Sequence, residues 1–498
     1  MKKQDLYIKW GWITLFFGHA FAAIYSFGFH HPDEHFQILE WANYFVGNTP
    51  DGSHLPWEFA SQIRPWFQPM LHALFMKFFT VLGIYNPFSS ATFFRLVYAA
   101  LNLWSLKFLW DYFQKKYDLS SQWFLIFGCM WFFPYIHVRT SSENLSGIFT
   151  SFALVMLSRI PKAKFNIDLR SFFFAGILFG FAFISRFQIA LGIAGIAIAL
   201  LIRDRGIRKT HWSMLGGFIL PVLLGVFLDR WGYGNWVFTP YLYFKVNIVQ
   251  HVAATFNPYP WYQYFFWVLQ LLPVISIPLF HGMIGFSLKH RLDFFGWFSL
   301  SFFFLHCLIT NKEYRFLFPL LNFVPLMAFA YFQQAYKIGK NKFWIYRQGT
   351  KPAFLRSYLV LSAISFFISS FHGASMRTLW AHHAVHELSL NHPNAEWISN
   401  RNFLEQGKYV THYYDLKKNA GFNPEKLHIY KSVETLSELL PNFKESLVMI
   451  DANYDQYAAD LIQTLESSNC KLATNSFLGT VARYARIPFQ VVYFCGSN

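Results

Sequence analysis

The sequence predicts a polytopic α-helical membrane protein with about eleven transmembrane helices, a large first outer loop and a C-terminal soluble α/β domain. Three observations predict this. Hydrophobic residues make up 54% of the 498 positions and aromatic residues 21%, including 62 phenylalanines. They gather into runs long enough to cross a hydrocarbon core of roughly 30 Å. Charged residues are only 14% of the chain, and the basic ones, which set the net charge of +16, cluster between the apolar runs. Beyond about Arg377 the composition becomes that of a soluble domain, rich in His, Asn, Asp and Glu.

The first run, Trp10 to Phe29, follows Lys2, Lys3 and Lys9, which points to a retained anchor with its amino terminus inside. No small-residue cleavage site follows it, so a removed signal peptide is not expected. The basic clusters Lys115-Lys116, Arg159 to Arg170, Arg203 to Lys209, Lys289 to Arg291 and Tyr336 to Lys351 all fit the inner face. An even number of crossings must then separate each pair. Counting Pro69 to Gly83 as a span would break that parity, so this stretch is expected to be an interfacial helix on the outer surface. Spans follow at about 91–113, 121–137, 145–158, 171–185, 187–202, 212–229, 261–285, 293–310, 315–335 and 354–371. Several fall short of the roughly 20 residues of a straight crossing, so broken or tilted helices are expected around Arg186 and Gln188.

An odd count places the tail outside. Residues 1–376 are therefore the expected membrane region and 377–498 a non-cytoplasmic domain. In the latter, Leu447 to Ile450 and Phe489 to Phe494 read as strands and Tyr457 to Glu466 as a helix. The basic excess is explained by topology and anionic lipid contact, which excludes nucleic acid as a partner. The four cysteines show no zinc or redox spacing. Cys129 and Cys307 lie in apolar runs, whereas Cys470 and Cys495 can bridge if the tail is outside.

Four polar motifs share the outer side by this topology. His31-Pro32-Asp33-Glu34 follows the first span, and its proline stops the helix from running on through the carboxylates. Arg139-Thr140-Ser141-Ser142-Glu143-Asn144 lies between two short spans. The loop Asp229 to Tyr264 carries Tyr233-Gly234 and Phe238-Thr239-Pro240. Asn311-Lys312-Glu313-Tyr314-Arg315-Phe316 puts two cations on the outer face, against the positive-inside trend. Two readings stand for these cations: ion pairs with neighbouring acids, or recognition of a lipid-borne phosphate. Asp33 and Glu34 are either a solvated acid and a helix cap, or a general base beside a substrate-fixing carboxylate. Arg139 and Arg186 are as readily structural counter-ions as ligands. Two adjacent carboxylates without further oxygen donors make a poor metal site, so no metal is expected.

These residues resemble glycosyltransferase family 22, the lipid-linked mannosyltransferases of N-glycan and GPI-anchor assembly and their bacterial relatives. The resemblance covers about Gly28 to Pro325. It rests on His31-Pro32-Asp33-Glu34 with Phe36-Gln37, Trp57-Glu58-Phe59 with Ile63-Arg64, Arg139-Thr140, Tyr233-Gly234 with Phe238-Thr239-Pro240, and Lys312-Glu313-Tyr314-Arg315-Phe316. The chain departs from the family pattern at Asn311, at Tyr259-Pro260-Trp261 and at Glu143.

The resemblance implies a GT-C fold and inverting transfer of a mannosyl residue, or another hexosyl residue, from a polyprenyl-phosphate donor to a glycolipid or glycan acceptor. Asp33 is then the catalytic base and Glu34 its companion, and Lys312 and Arg315 hold the carrier phosphate. Glu313, Arg139, Arg64, His31 and Gln37 complete the substrate site, with no cofactor. The membrane is expected to be a bacterial inner membrane with the site facing the periplasm or exterior, or alternatively the endoplasmic reticulum. Two other functions use the same groups: a flippase or transporter of a lipid-linked sugar, which the absence of repeats disfavours, and transfer to protein.

Overall fold

The computed structural model describes residues 3–496 apart from 27, 50–51, 162–164, 166, 271–272, 338–351, 372–373, 401–404, 407–408, 411–412, 415–423, 453–455 and 476–488. Most of the expected basic cluster from Tyr336 onward thus lies outside the described residues. The chain divides into two compact units, Met1–Ala23 with Trp57–His72 and Phe94–Phe367, and Ile24–Pro56 with Ala73–Phe93 and Ile368–Asn498.

The first unit is helical. Among the described residues two of its helices, Phe187–Asp204 and Lys209–Tyr233, are long and apolar enough to cross a membrane, and the bent pair Tyr314–Leu321 and Val324–Ala335 makes a third if counted as one span. The chain is therefore an integral membrane protein. Other expected spans are broken. The stretch 121–137 forms Ser121–Gly128 and Phe132–His137, and 261–285 forms Gln263–Gln270 and Pro273–Lys289. The helices of 315–335 meet at 57°. Breaks of this kind are tolerated at membrane depth where neighbouring protein satisfies the freed backbone groups. Aromatic side chains fill the core, including Phe113, Phe124, Phe127, Phe286, Phe298 and Phe323. Where backbones must meet, side chains are absent: a Cβ on Gly176 would overlap the Met214 carbonyl, and one on Gly217 the Phe173 carbonyl. Such small-residue crossings are the usual means of close helix approach where hydrocarbon gives no hydrophobic drive.

In the second unit β1 (Glu396–Ser399), β4 (Leu427–Ile429), β5 (Glu445–Ala452), β6 (Lys471–Asn475) and β7 (Phe489–Gly496) form a five-stranded sheet in the order β4-β1-β5-β7-β6, and β2 (Glu405–Gln406) and β3 (Tyr409–Val410) form a separate ribbon. β1 runs parallel to β4 and β5, while β7 is antiparallel to β5 and β6. Central β5 buries Leu447, Val448, Met449 and Ile450 alike, the continuous apolar run of a strand covered on both faces. The helix Gln456–Ser467 packs Leu461, Ile462 and Leu465 into the same core as Ile398, Val448 and Val491. Cys470 and Cys495 form a disulfide. The expected strands 447–450 and 489–494 and the helix 457–466 all form, each extended by a few residues. The stretch 69–83, expected as an interfacial helix, falls largely within the helix Phe67–Val81, on which Leu74, Phe78 and Val81 are exposed.

Candidate active site

The acidic motif lies in the second unit. The helix Lys3–Tyr25 ends ahead of Gly28, which has φ 92°. Pro32 then turns the chain: the amides of His35 and Phe36 both donate to its carbonyl, at 3.0 and 2.9 Å. A π-helical turn, His35–Leu39, leads into the helix Glu40–Phe45, and such turns recur at functional sites. The two carboxylates differ. Asp33 is half-exposed, with Oδ1 3.3 Å from His31 Nδ1. Glu34 is buried, and its Oε1 accepts from the His31 amide at 3.3 Å. Glu34 makes no side-chain hydrogen bond to the helix it precedes, so the cap reading does not hold. Gln37 is buried within the π-helical turn.

This turn is supported by residues that sequence reasoning missed. His35 Nε2 meets buried Glu40 Oε1 at 2.9 Å, and the Tyr413 amide donates to the same oxygen at 2.9 Å. The Tyr414 ring lies parallel to His35, with centroids 5.8 Å apart, and also meets Phe88 at 4.7 Å. No spacing or motif marks Tyr413 and Tyr414 in the sequence. Tyr414→Ala is expected to destabilise this unit by about 3–5 kcal/mol, as for other buried aromatics truncated to alanine. Hydrogen exchange should report it as lost amide protection over residues 35–45, which Tyr414→Phe retains.

The basic residues gather in the first unit. Ser141 caps the helix Ser142–Arg159, its Oγ accepting from the Asn144 amide at 3.2 Å. Asn144 Nδ2 in turn donates to the Arg139 and His137 carbonyls at 2.8 and 3.0 Å, fixing the preceding loop. Arg139 is buried, with its guanidinium 4.6 Å above the Tyr135 ring. Glu143 holds two cations at once: its Oε1 lies 2.9 Å from Arg186 Nη1 and 3.3 Å from Arg315 Nη1. Arg315 Nε also pairs with Glu313, and both guanidiniums approach the Phe316 ring, at 4.8 and 5.6 Å. Ser142 Oγ accepts from Arg186 at 3.1 Å and donates to Glu143 at 3.2 Å. Sequence reasoning named Arg186 and Glu143 separately. An ionisable pair in so apolar a chain is the signal that could have joined them.

Lys312 is different. It is buried, and Nζ donates to the Tyr259 and Ile309 carbonyls, but among the described residues no carboxylate pairs with it. Burial lowers its pKa below the usual lysine range. An anion placed beside it would reverse that shift. Arg64 pairs with Glu58 at 3.7 Å and sits 5.7 Å from the Tyr243 ring. The surrounding loops are tied together. Tyr233 Oη donates to the Arg64 carbonyl at 2.7 Å, and Asp229 accepts from the Trp66 amide at 2.8 Å and from Thr239 Oγ1 at 2.5 Å. The Tyr259 amide donates to the Thr310 carbonyl at 3.1 Å, beside a bridge between Pro258 and Asn311. Of the expected site residues, Arg64, Arg139, Lys312, Glu313 and Arg315 thus belong to one unit and His31, Asp33, Glu34 and Gln37 to the other. Among the described residues no group of three or more His, Cys, Asp or Glu is arranged to hold a metal ion.

The pattern of the Alg9-like mannosyltransferase family matches residues 10–405. GPI alpha-1,2-mannosyltransferase 3 from Bos taurus is 25% identical over 384 residues, covering 74% of this chain and 64% of the relative. The protein of the same name from Homo sapiens is 24% identical over 402 residues, covering 77% and 65%. The chain spans just under two thirds of the length of these curated relatives. Among solved structures, ArnT from Cupriavidus metallidurans bound to undecaprenyl phosphate aligns with a TM-score of 0.50 at 12% identity, over 99% of both chains. That likeness shows the fold, the GT-C fold expected from the motifs.

Proposed function

Because the chain belongs to the Alg9-like mannosyltransferase family, we propose that it transfers a mannosyl residue from a polyprenyl-phosphate donor to a hydroxyl of a glycolipid or glycan on the non-cytoplasmic face. Residues 1–376 serve as the transferase domain, with about eleven crossings, and 377–498 as a domain on the same face as the site. The disulfide Cys470–Cys495 supports that placement, because such bonds persist in oxidising compartments. A bacterial periplasmic face and the lumen of the endoplasmic reticulum both meet that condition.

The observation that carries the reading is Lys312, a buried cation that backbone carbonyls orient and no described carboxylate neutralises. A carrier phosphate supplies the missing charge. Arg315 shares the load, since Glu143 and Glu313 hold its guanidinium rigidly in place. In the reaction the acceptor oxygen attacks the anomeric carbon from the face opposite the phosphate, and the carbon–oxygen bond to the carrier breaks. Its electron pair leaves on the phosphate, and the hydroxyl proton passes to Asp33. A single displacement inverts the anomeric centre. Phosphate monoester is a good leaving group, its second pKa being about 6, so the scheme needs cations and a base but no strong general acid. Glu34 and His31 orient Asp33, and Gln37, Arg64 and Arg139 contact the sugar substrates.

Purified protein given synthetic polyprenyl-phosphate mannose and a panel of glycolipids should yield a mannosylated product, its linkage read by NMR. The names of the curated relatives make α-1,2 the linkage to look for first. Lys312→Ala is expected to lower kcat/KM by on the order of a hundredfold or more. An unchanged value would remove the phosphate assignment. Transbilayer movement of the donor without product would indicate a flippase instead.

A further inference from the structure

The loop joining the helices Ala190–Asp204 and Lys209–Tyr233 belongs to none of the site described above. The Gly176 and Gly217 crossings draw Lys209–Tyr233 against Leu169–Ser185. Ala190–Asp204 packs instead on Phe294–Leu308, with Gly195 against Ser301 and the Trp297 carbonyl. The mismatch leaves a groove of about 320 Å³ between the three helices, lined by Phe179, Ile193, Ala197, Leu200, Met214 and Phe218. Along Ala190–Asp204 the lining runs from Ile193 to Leu201, about 12 Å at 1.5 Å per residue. That is most of one leaflet of a hydrocarbon core roughly 30 Å thick.

The mouth has a different chemistry. Trp212 lines it and is largely exposed, as befits a side chain at the membrane–water boundary. Arg205, Arg208 and Lys209 are exposed in the same loop and helix start as Ile207 and His211, which line the groove, and the Arg208 guanidinium donates to the Asp204 carbonyl at 3.2 Å. The nearest acid, Asp204, is buried and taken by His211 Nε2 at 2.9 Å. Among the described residues no carboxylate pairs with those three cations. Arg203 is turned away onto the Phe165 ring, 3.3 Å from its centroid.

We propose that this groove is a binding site for an anionic diacyl phospholipid, one acyl chain lying along the groove and the headgroup phosphate held by Arg205, Arg208 and Lys209. A hydrocarbon groove alone selects little, because lipid tails are as apolar as its lining. The cations supply selectivity. A basic residue near the surface favours an anionic lipid roughly fivefold, so three give a preference on the order of a hundredfold. The groove's part is to hold the chain of the selected lipid out of the exchanging annulus.

The test is native mass spectrometry of the full-length protein released from membranes of equal phosphatidylglycerol and phosphatidylcholine. One phosphatidylglycerol should remain bound, and phosphatidylcholine should not. The triple variant Arg205→Gln, Arg208→Gln, Lys209→Gln should lose the preference by about the hundredfold the cations supply. Ala197→Phe, which fills the groove, should lose the retained lipid with the cations intact. Should either variant fold poorly, competition on the wild-type protein decides: a short-chain phosphatidylglycerol displaces the bound lipid and glycerol phosphate does not. Equal retention of both lipids overturns the proposal, as does retention by folded Ala197→Phe or displacement by glycerol phosphate alone.

Discussion

Asp33→Asn is expected to lower mannosyl transfer by about two to four orders of magnitude, the usual worth of a positioned general base. The substitution keeps size and most hydrogen bonding but removes the carboxylate proposed to accept the hydroxyl proton. Asp33 is the exposed member of its pair, with His31 beside it, whereas Glu34 is buried and tied to the His31 amide. The two variants should therefore diverge. Asp33→Asn should lose rate at unchanged thermal stability, and Glu34→Gln should lose stability as well as rate. Initial rates with saturating donor and acceptor, beside a melting curve for each variant, distinguish these outcomes. Near-full transfer by Asp33→Asn would transfer the base role to another group.

Glu143→Gln is expected to destabilise the first unit by about 3–5 kcal/mol. One carboxylate oxygen serves both Arg186 and Arg315, and all three side chains are nearly inaccessible to solvent. Glutamine fills the space and leaves two buried guanidiniums without their shared countercharge. Desolvating a charge is worthwhile only when a partner compensates it, so losing the acid costs more than the pair itself contributes. Denaturation in detergent, compared across Glu143→Gln, Arg186→Gln and the double variant, gives the coupling energy. Independent, additive effects would show that the contact carries no energy of its own.

Charge distribution and hydrophobic runs made most of the helical architecture legible, because the inner basic clusters constrain how many crossings lie between them. The breaks were less so. Run lengths short of a full crossing pointed to breaks around Arg186 and Gln188, but not to the split of 121–137 and 261–285 into two helices each, since a break depends on what the neighbouring helices can satisfy. At the site, Lys312 and Arg315 looked equivalent in sequence. Their difference arises from Glu313 next in line and from Glu143, more than 160 positions away in the chain, and no local pattern encodes the distant partner. β5 and β7 could be read from their apolar runs, while β4 with only three residues could not. Tyr413 and Tyr414 were invisible for the reason that the partners of Glu143 were: their value lies wholly in what they meet.

The hydrogen bond from the Tyr413 amide to Glu40 also has a consequence for biogenesis. Its partners are 373 residues apart. At roughly 5–20 residues per second of synthesis, the ribosome delivers the second partner about 20–75 s after the first. Until then a carboxylate destined for burial lacks one of its donors, and the turn that follows Asp33 lacks its stacking ring. A truncated or half-made chain therefore carries the acidic motif in an unfinished setting. Assembly of the turn that follows Asp33 therefore waits until the chain has been made past Tyr413, which couples the setting of the acidic motif to synthesis of the C-terminal part of the same unit.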